Sequence, residues 1–479
     1  MTRSKYLIKN ISIVDGTGRA RYTSDIEFSH DQIINVDSNI ISEDAEIIDG
    51  RGLTVAPGFI DVHTHDDTNV IRYPDCVPKI SQGVTTVIVG NCGISASPAV
   101  LLDSPPDPMN LLGQKEDFQY PRFKDYADAI EKAQPAVNVA ALVGHTTLRN
   151  NVMDDLYRTA TRDEIELMKE ALSDSLKHGA LGLSSGLAYA SAFESDPEEV
   201  TQLAAELTKQ NGIYTTHMRS EFEPILDAMK EAFYVGKAND IPVVISHLKC
   251  AGAGNWGRTV ETLALMDKTK KHQDVSCDCY PYSASSSTLD LKQVTDEFDI
   301  FITWSQSRPE HAQKMLKSIA SEMGCTLLEA AKALQPAGAV YHNMHPEDVE
   351  RVLSSEHSMI GSDGLPNDPH PHPRLWGTFP RMLGHYCREK NLLSLEQAVH
   401  KMTGKSAHRF NLVNRGVIKK GAFADLVIFD AETIKDEATF SQPEQKAKGI
   451  HSVYVNGQLA YQNNTVEHGR YGRFLRRGC

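Results

Sequence analysis

Residues 56–66 read Ala-Pro-Gly-Phe-Ile-Asp-Val-His-Thr-His-Asp. Proline and glycine open the stretch, apolar residues fill its middle, and imidazoles and a carboxylate close it. In an extended chain successive side chains point to opposite faces, so His63 and His65 share one face. The stretch reads as a short strand, 58–65, that delivers two polar groups at its C-terminal end. Seven further apolar or β-branched runs follow, at 85–92, 137–145, 180–187, 213–218, 242–248, 275–281 and 358–363. Helix signals lie between several of them. Thr161-x-x-Glu164 is a capping box, with Gly179 at the far end of its helix. Asp196-Pro197-Glu198-Glu199 supplies an N-cap, a proline at the first helical position and early acids, and Gly212 ends that helix. Eight strands alternating with helices predict a (β/α)8, TIM-like barrel over 58–412. A doubly wound sheet is the runner-up. GxxxxGK[ST], a phosphate-cradling turn of such sheets, is not present.

Both chain ends have a different texture. Residues 25–28, 32–36 and 46–48 are strand-like and separated by turn residues, and so are 424–430 and 451–461, where Asn456-Gly457 signals a hairpin. The expectation is a small β-sandwich domain built from 1–57 and 413–479. Two connections are long. Residues 93–136 include Ser104-Pro105-Pro106-Asp107-Pro108, and 282–357 carry helical stretches at 309–323 and 346–354. Connections of that length usually carry function, and 283–345 is read as a helical insertion or lid after strand 7.

Charge and composition narrow the function classes. The 479 residues carry 49 Lys and Arg against 63 Asp and Glu, a net charge of −14. An acidic surface argues against nucleic acid or an anionic membrane as partner. There is no apolar run of 18 residues and no signal-peptide core, so the expected compartment is the cytoplasm. Eight scattered cysteines without a CxxC pair read as reduced thiols.

The polar strand ends carry the chemistry. Strand 1 ends in His63 and His65, strand 2 in Cys92, strand 5 in His217, strand 6 in His247 and strand 8 in Asp363. Each has a plain alternative: a satisfied histidine, a small buried thiol, a turn aspartate. In a barrel the C-terminal strand ends converge on one mouth. Four imidazoles, a thiol and a carboxylate converging there form a ligand set for zinc. His145, at the end of strand 3, reads equally as a group behind the metal site or as a backbone-bonded histidine.

The opening stretch resembles that of the amidohydrolases. Gly90-Asn91-Cys92-Gly93, Val143-Gly144-His145-Thr146, Ser246-His247-Leu248-Lys249, Tyr280-Pro281-Tyr282, Gly361-Ser362-Asp363-Gly364 and His372-Pro373-Arg374-Leu375-Trp376-Gly377 together resemble the N-acyl-D-amino-acid deacylases, over nearly the whole chain. The resemblance implies that Cys92, His217 and His247 hold a tightly bound zinc, the thiolate replacing a carboxylated lysine used elsewhere in the superfamily. It places His63, His65 and Asp363 at a second position, with one zinc expected and two allowed. It gives Asp363 the role of general base and acid, and makes an N-acyl amino acid the small-molecule substrate. Lys249, Tyr280 and Arg374 would bind its α-carboxylate, with Tyr189 a further pocket residue.

For the side chain, Ile302-Thr303-Trp304 resembles the D-glutamate-preferring branch. That branch carries an arginine in the run after strand 7, where this chain has Gln293 with Lys292 beside it. Lys292 could serve an acidic side chain; Gln293 would suit a neutral one, since a buried carboxylate without a cation is costly. Two other readings stand beside the deacylase. A hydrolase of cyclic amides or dipeptides would carry a carboxylated lysine, which 180–186 lacks; an inactive scaffold would have lost ligands, and all six are present.

Overall fold

The structure is a computed structural model, and it describes residues 5–466 and 469–478. The reading of the first four residues and of Cys479 lies outside these. Eight parallel strands form the central barrel: β1 (Phe59–Asp61), β2 (Val84–Val89), β3 (Asn138–Ala141, continued at Val143–Gly144), β4 (Gly182–Gly186), β5 (Ile213–His217), β6 (Val243–Ile245), β7 (Val275–Cys279) and β8 (Ser358–Ile360). All eight expected runs are strands. β3 is interrupted at Leu142: its first half pairs with β2 and its second with β4. Closure comes from a parallel bridge between Thr64 and Gly364, with Asp363 N donating to His63 O at 2.7 Å and His65 N to Gly364 O at 3.0 Å. The backbone bonds that seal the barrel thus run through three of the candidate ligands.

One apolar cluster draws Ile60, Val62, Ile88, Leu142, Leu181, Ile213, Val244 and Met359 from strands all round the barrel, so it is the barrel's interior. Phe410, Leu412 and Leu475 join it from the last helix and the tail, plugging the base. The helices around the barrel start where their sequence signals require. Thr161 caps Arg162–Lys177 in a reciprocal box with Glu164, and Asp196 caps Pro197–Thr208. Gly179, at positive φ, follows the first, whereas the second ends at Thr208, short of Gly212, and Asn211 takes the positive φ there.

Both chain ends contribute to one nine-stranded sheet. Lys5–Ile13 pairs in parallel with Thr54–Pro57, which pairs antiparallel with Leu426–Phe429. The hairpin Ile450–Val455/Gln458–Gln462 turns on Asn456 and Gly457, both at positive φ as a type I′ turn demands. Gln32–Asp37 folds back so that Ile33 N meets Ala422 O at 2.9 Å, and the sheet encloses its own core around Phe28, Ile26, Leu426 and Tyr454. The tail departs from the expected β unit: Val139 N of β3 donates to Arg473 O, and Leu475 N donates to Val139 O.

The insertion is mixed rather than helical. Four strands, in the order Ser285–Thr288, Ala337–Tyr341, Ile300–Ser305, Lys314–Met315, form an antiparallel sheet. Two helices, Leu316–Met323 and Leu327–Leu334, pack on it around Ile302, Ile319 and Leu334. The stretch 309–323 is helical only from Leu316; a 3₁₀ turn, Pro309–His311, and the strand Lys314–Met315 precede it. Pro346–Ser354 is the expected helix. No helix among the described residues is long and apolar enough to cross a membrane.

Candidate metal centre and its cavity

The six expected ligands meet at the mouth. His63 Nε2 lies 3.1 Å from Cys92 Sγ and 3.4 Å from Asp363 Oδ1; His65 Nε2 lies 3.2 Å from the same carboxylate oxygen. His247 Nε2 is 3.4 Å from Cys92 Sγ on the other side, and the His217 ring packs edge-on against His247 at 4.5 Å. Two ligand groups result, each with donor atoms within 4.8 Å of one another: His63, His65, Cys92 and Asp363, and Cys92, His217 and His247. Cys92 belongs to both.

Backbone strain marks the same residues. Cys92, His247 and Asp363 all have positive φ, at 52°, 36° and 50°. Such a conformation costs of order 1–3 kcal/mol in a non-glycine residue and persists only where its surroundings enforce it. Here the enforcing bonds are visible: Asp363 N is held by His63 O, and His247 N by Asp278 Oδ1 at 2.9 Å. The turn after each strand end throws the side chain inward.

Burial would raise the Cys92 thiol, yet His63 and His247 hold it well below the usual thiol range. Burial likewise opposes the charge on Asp363, and Arg374, 3.0 Å from Oδ2, with His63 overrules it, leaving the carboxyl well below the usual range. The imidazoles respond in the opposite sense. Burial would lower His65, but its bond to Asp363 and the nearby sulfur raise it to about 9. Burial and Lys249 would lower His247, but Glu221 and the sulfur raise it to about 9. Two buried anions thus pull protons onto the ring of imidazoles, and a divalent cation can take the place of those protons. Soft sulfur, imidazole nitrogen and carboxylate oxygen suit zinc.

Beside these groups lies a cationic cradle. Arg374 is fully buried; its Nη2 reaches Asp363 and Ser286 O, while Nε and Nη1 have no hydrogen-bond partner among the described residues. The guanidinium stacks 4.5 Å over the Tyr280 ring, and the Tyr280 hydroxyl is also buried without a partner. Lys249 Nζ donates to Glu221 Oε1 at 2.5 Å and sits 5.8 Å over the same ring. Tyr189 packs against His217 at 4.9 Å. Orphan donors on a buried guanidinium are costly unless an anion meets them.

Above them opens a cavity of about 960 Å³, lined by His65, His217, His247, Lys249, Asp363 and Tyr189 on the barrel side and by 285–293 of the insertion on the other. Lys292 and Gln293 stand in that outer wall. Lys292 Nζ lies 4.9 Å over the Phe193 ring, and Gln293 Nε2 donates to Asp290 at 3.4 Å.

His145 is not bonded to this group. It begins the helix His145–Val152, and its Nε2 lies 2.8 Å from Glu199, which also takes Arg149 at 2.6 Å. Two carboxylates escaped the sequence reading. Asp278 faces His63 Nδ1 at 3.1 Å, and Glu221 faces His247 Nδ1 at 2.9 Å. Asp278 had a signal, an acid inside the apolar run Val-Ser-Cys-Asp-Cys of β7; Glu221 sits in a loop and had none.

Residues 46–461 match the amidohydrolase family Amidohydro_3. The chain belongs to the amidohydrolases. It is 45% identical to a D-aminoacylase of Alcaligenes xylosoxydans xylosoxydans, over 98% of this chain and 97% of that protein. A solved D-aminoacylase structure, whose binuclear centre is described by one-metal activation and second-metal attenuation, superimposes with a TM-score of 0.96 at 46% identity, covering 98% of this chain and 99% of that one. The N-acyl-D-glutamate deacylase of Bordetella bronchiseptica, solved with zinc and a phosphonate mimic of the tetrahedral intermediate, gives 0.94 at 39%, with the same coverage. Barrel, β-sandwich and insertion are therefore those of this amidohydrolase group, and identity alone does not single out its glutamate branch.

Proposed function

We propose that this chain hydrolyses N-acyl-D-amino acids to a carboxylate and a free D-amino acid, with one zinc held by Cys92, His217 and His247 and a weaker position at His63, His65 and Asp363. The observation that carries the reading is the pairing of a sulfur-centred ligand cluster with a buried guanidinium whose Nε and Nη1 await an anion. An α-carboxylate on Arg374, Lys249 and Tyr280 would set the neighbouring amide over the cluster. D-stereochemistry is taken from the relatives.

Amides are poor electrophiles with poor leaving groups. Bound zinc lowers the pKa of water towards ~7 and polarises a carbonyl. Asp363, kept ionised by Arg374, takes a proton from the attacking water and hands it to the leaving nitrogen. Lys292 has no carboxylate within 4.0 Å among the described residues, and it is the cation available to an acidic side chain. The apolar wall of Phe193, Leu289 and Leu291 beside it favours the second reading, a neutral side chain. We place the enzyme in the cytoplasm, without nucleic-acid or membrane partners, on its net charge of −14 and its free cysteines.

The test is a hydrolysis panel of N-acetyl-D-Glu, D-Asp, D-Leu and D-Met with their L forms, with zinc measured in the same sample. Turnover of D forms only, at about one zinc per chain, is expected. Zinc-loaded protein that leaves all of them intact would overturn the reading.

A further inference from the structure

Three atoms behind the cluster form a tight triangle. Glu221 Oε1 lies 2.5 Å from Lys249 Nζ and 2.9 Å from His247 Nδ1, and Nζ lies 2.9 Å from that same Nδ1. The ammonium carries donors only, so around a neutral imidazole, the form that binds a metal, the triangle has two arrangements. In one, Nδ1–H donates to Glu221 and the Nε2 lone pair faces Cys92. In the other, Lys249 donates to Nδ1, the proton sits on Nε2, and Nε2 cannot take a metal. Glu221 and Lys249 therefore compete to set the tautomer of one imidazole.

We propose that Glu221 is a positioning residue that couples carboxylate binding to metal binding. It holds the His247 proton on Nδ1, and it holds Lys249 off that nitrogen. A substrate α-carboxylate that draws Lys249 towards itself removes the competitor, so the zinc site and the carboxylate cradle reinforce one another. Glu221 is held in place for both roles. It is buried, it lies on the loop that follows β5, and its backbone carbonyl is pinned by Ala251 N at 2.8 Å. Coupling of this kind is reciprocal by thermodynamic necessity. The inference rests on the zinc deacylase reading above.

The experiment measures zinc affinity by chelator competition in the wild type, Glu221→Gln, Lys249→Met and the double variant, with KM and kcat in parallel. Glu221→Gln is expected to weaken zinc 10- to 100-fold, the usual effect of losing a carboxylate behind a ligating histidine. Lys249→Met should raise KM and bind zinc more tightly than the wild type, because the mutation removes the competitor for Nδ1 as a bound carboxylate does. The double variant should bind zinc at least fivefold tighter than Glu221→Gln, because the competitor for Nδ1 is gone; a merely structural glutamate gives no such rescue. Zinc affinity of Glu221→Gln within twofold of the wild type, or a double variant no tighter than it, overturns the proposal. If Glu221→Gln does not fold, Glu221→Asp, which keeps the charge and withdraws the oxygen, should fall between the two, and wild-type affinity there overturns it equally. Wild-type protein that binds no zinc overturns the functional reading instead.

Discussion

Two of the buried charge clusters in this barrel contain a histidine that the sequence places at a strand end. Around Glu199, the Arg149 guanidinium donates at 2.6 and 2.7 Å to the two oxygens and His145 supplies the remaining contact. One anion there meets one permanent cation, with carbonyls of Ser191, Leu156 and Arg158 taking the other guanidinium donors. Around Cys92, lone pairs of sulfur, nitrogen and oxygen face a common point, three residues hold strained backbone, and Arg374 keeps two donors unmet. In the first cluster the Arg149 guanidinium and both Glu199 oxygens are fully paired, and His145 Nδ1 alone of these groups lacks a partner among the described residues. The second is complete only with a cation and an anion added. Whether the charged groups are met, rather than burial or charge alone, separates a structural network from a site here.

The largest effect that would break this contrast comes from the shared thiolate. Cys92→Ala should remove zinc and lower kcat by more than about 10³-fold, since both ligand groups use that sulfur. Retained zinc and turnover would mean the two groups are independent. Asp363→Asn should keep the metal and lose roughly 10²–10⁴ in kcat, the range of a general base. Full activity in that variant would remove Asp363 from the proton path.

The Glu199 cluster should answer with stability. Glu199→Gln leaves a buried guanidinium uncompensated and should cost about 3–5 kcal/mol of folding free energy with kcat unchanged. Burial would raise this carboxyl, but His145 and Arg149 bring it from 4.5 to about 2 in the folded protein. A depressed folded pKa stabilises above the unfolded value, and that stability is lost as pH falls. The wild type should therefore lose stability between pH 4.5 and 2 through this group, and the variant should lose less over the same window. A fall in kcat with intact stability would return His145 to the catalytic machinery.

The barrel was legible because each strand is a short apolar run closed by turn residues, and the six residues that meet at its mouth because they stand at the strand ends. Their geometry was not. β1 ends at Asp61, so it is the closure bonds of His63 and His65, not regular pleating, that turn both imidazoles to one side. The insertion sheet was only partly hidden: Ser285–Thr288 is polar and half-buried with no apolar alternation, but Ile300–Ser305 and Ala337–Tyr341 are apolar, β-prone runs that carried a strand signal. His145 was assigned by position alone. Its partner Glu199 comes from a helix 54 residues on, and such pairing has no local trace in sequence. Glu221 was missed for the same reason.

The smallest expected effect lies on the outer wall. Lys292 borders open cavity with its ammonium over the face of Phe193, so its pairing with a substrate carboxylate is solvent-screened and worth about 1 kcal/mol. Lys292→Ala should therefore raise KM for N-acetyl-D-Glu roughly fivefold and leave N-acetyl-D-Leu alone, with kcat unchanged for both. The inner cradle differs: Arg374→Leu should penalise every substrate alike, because all carry the same α-carboxylate. If Lys292→Ala hurts the two substrates equally, the lysine shapes the wall without reading the side chain, and Gln293 with its apolar neighbours sets a neutral preference. If only the acidic substrate suffers, the site divides cleanly, with chemistry and carboxylate capture on the barrel strands and side-chain choice on the insertion.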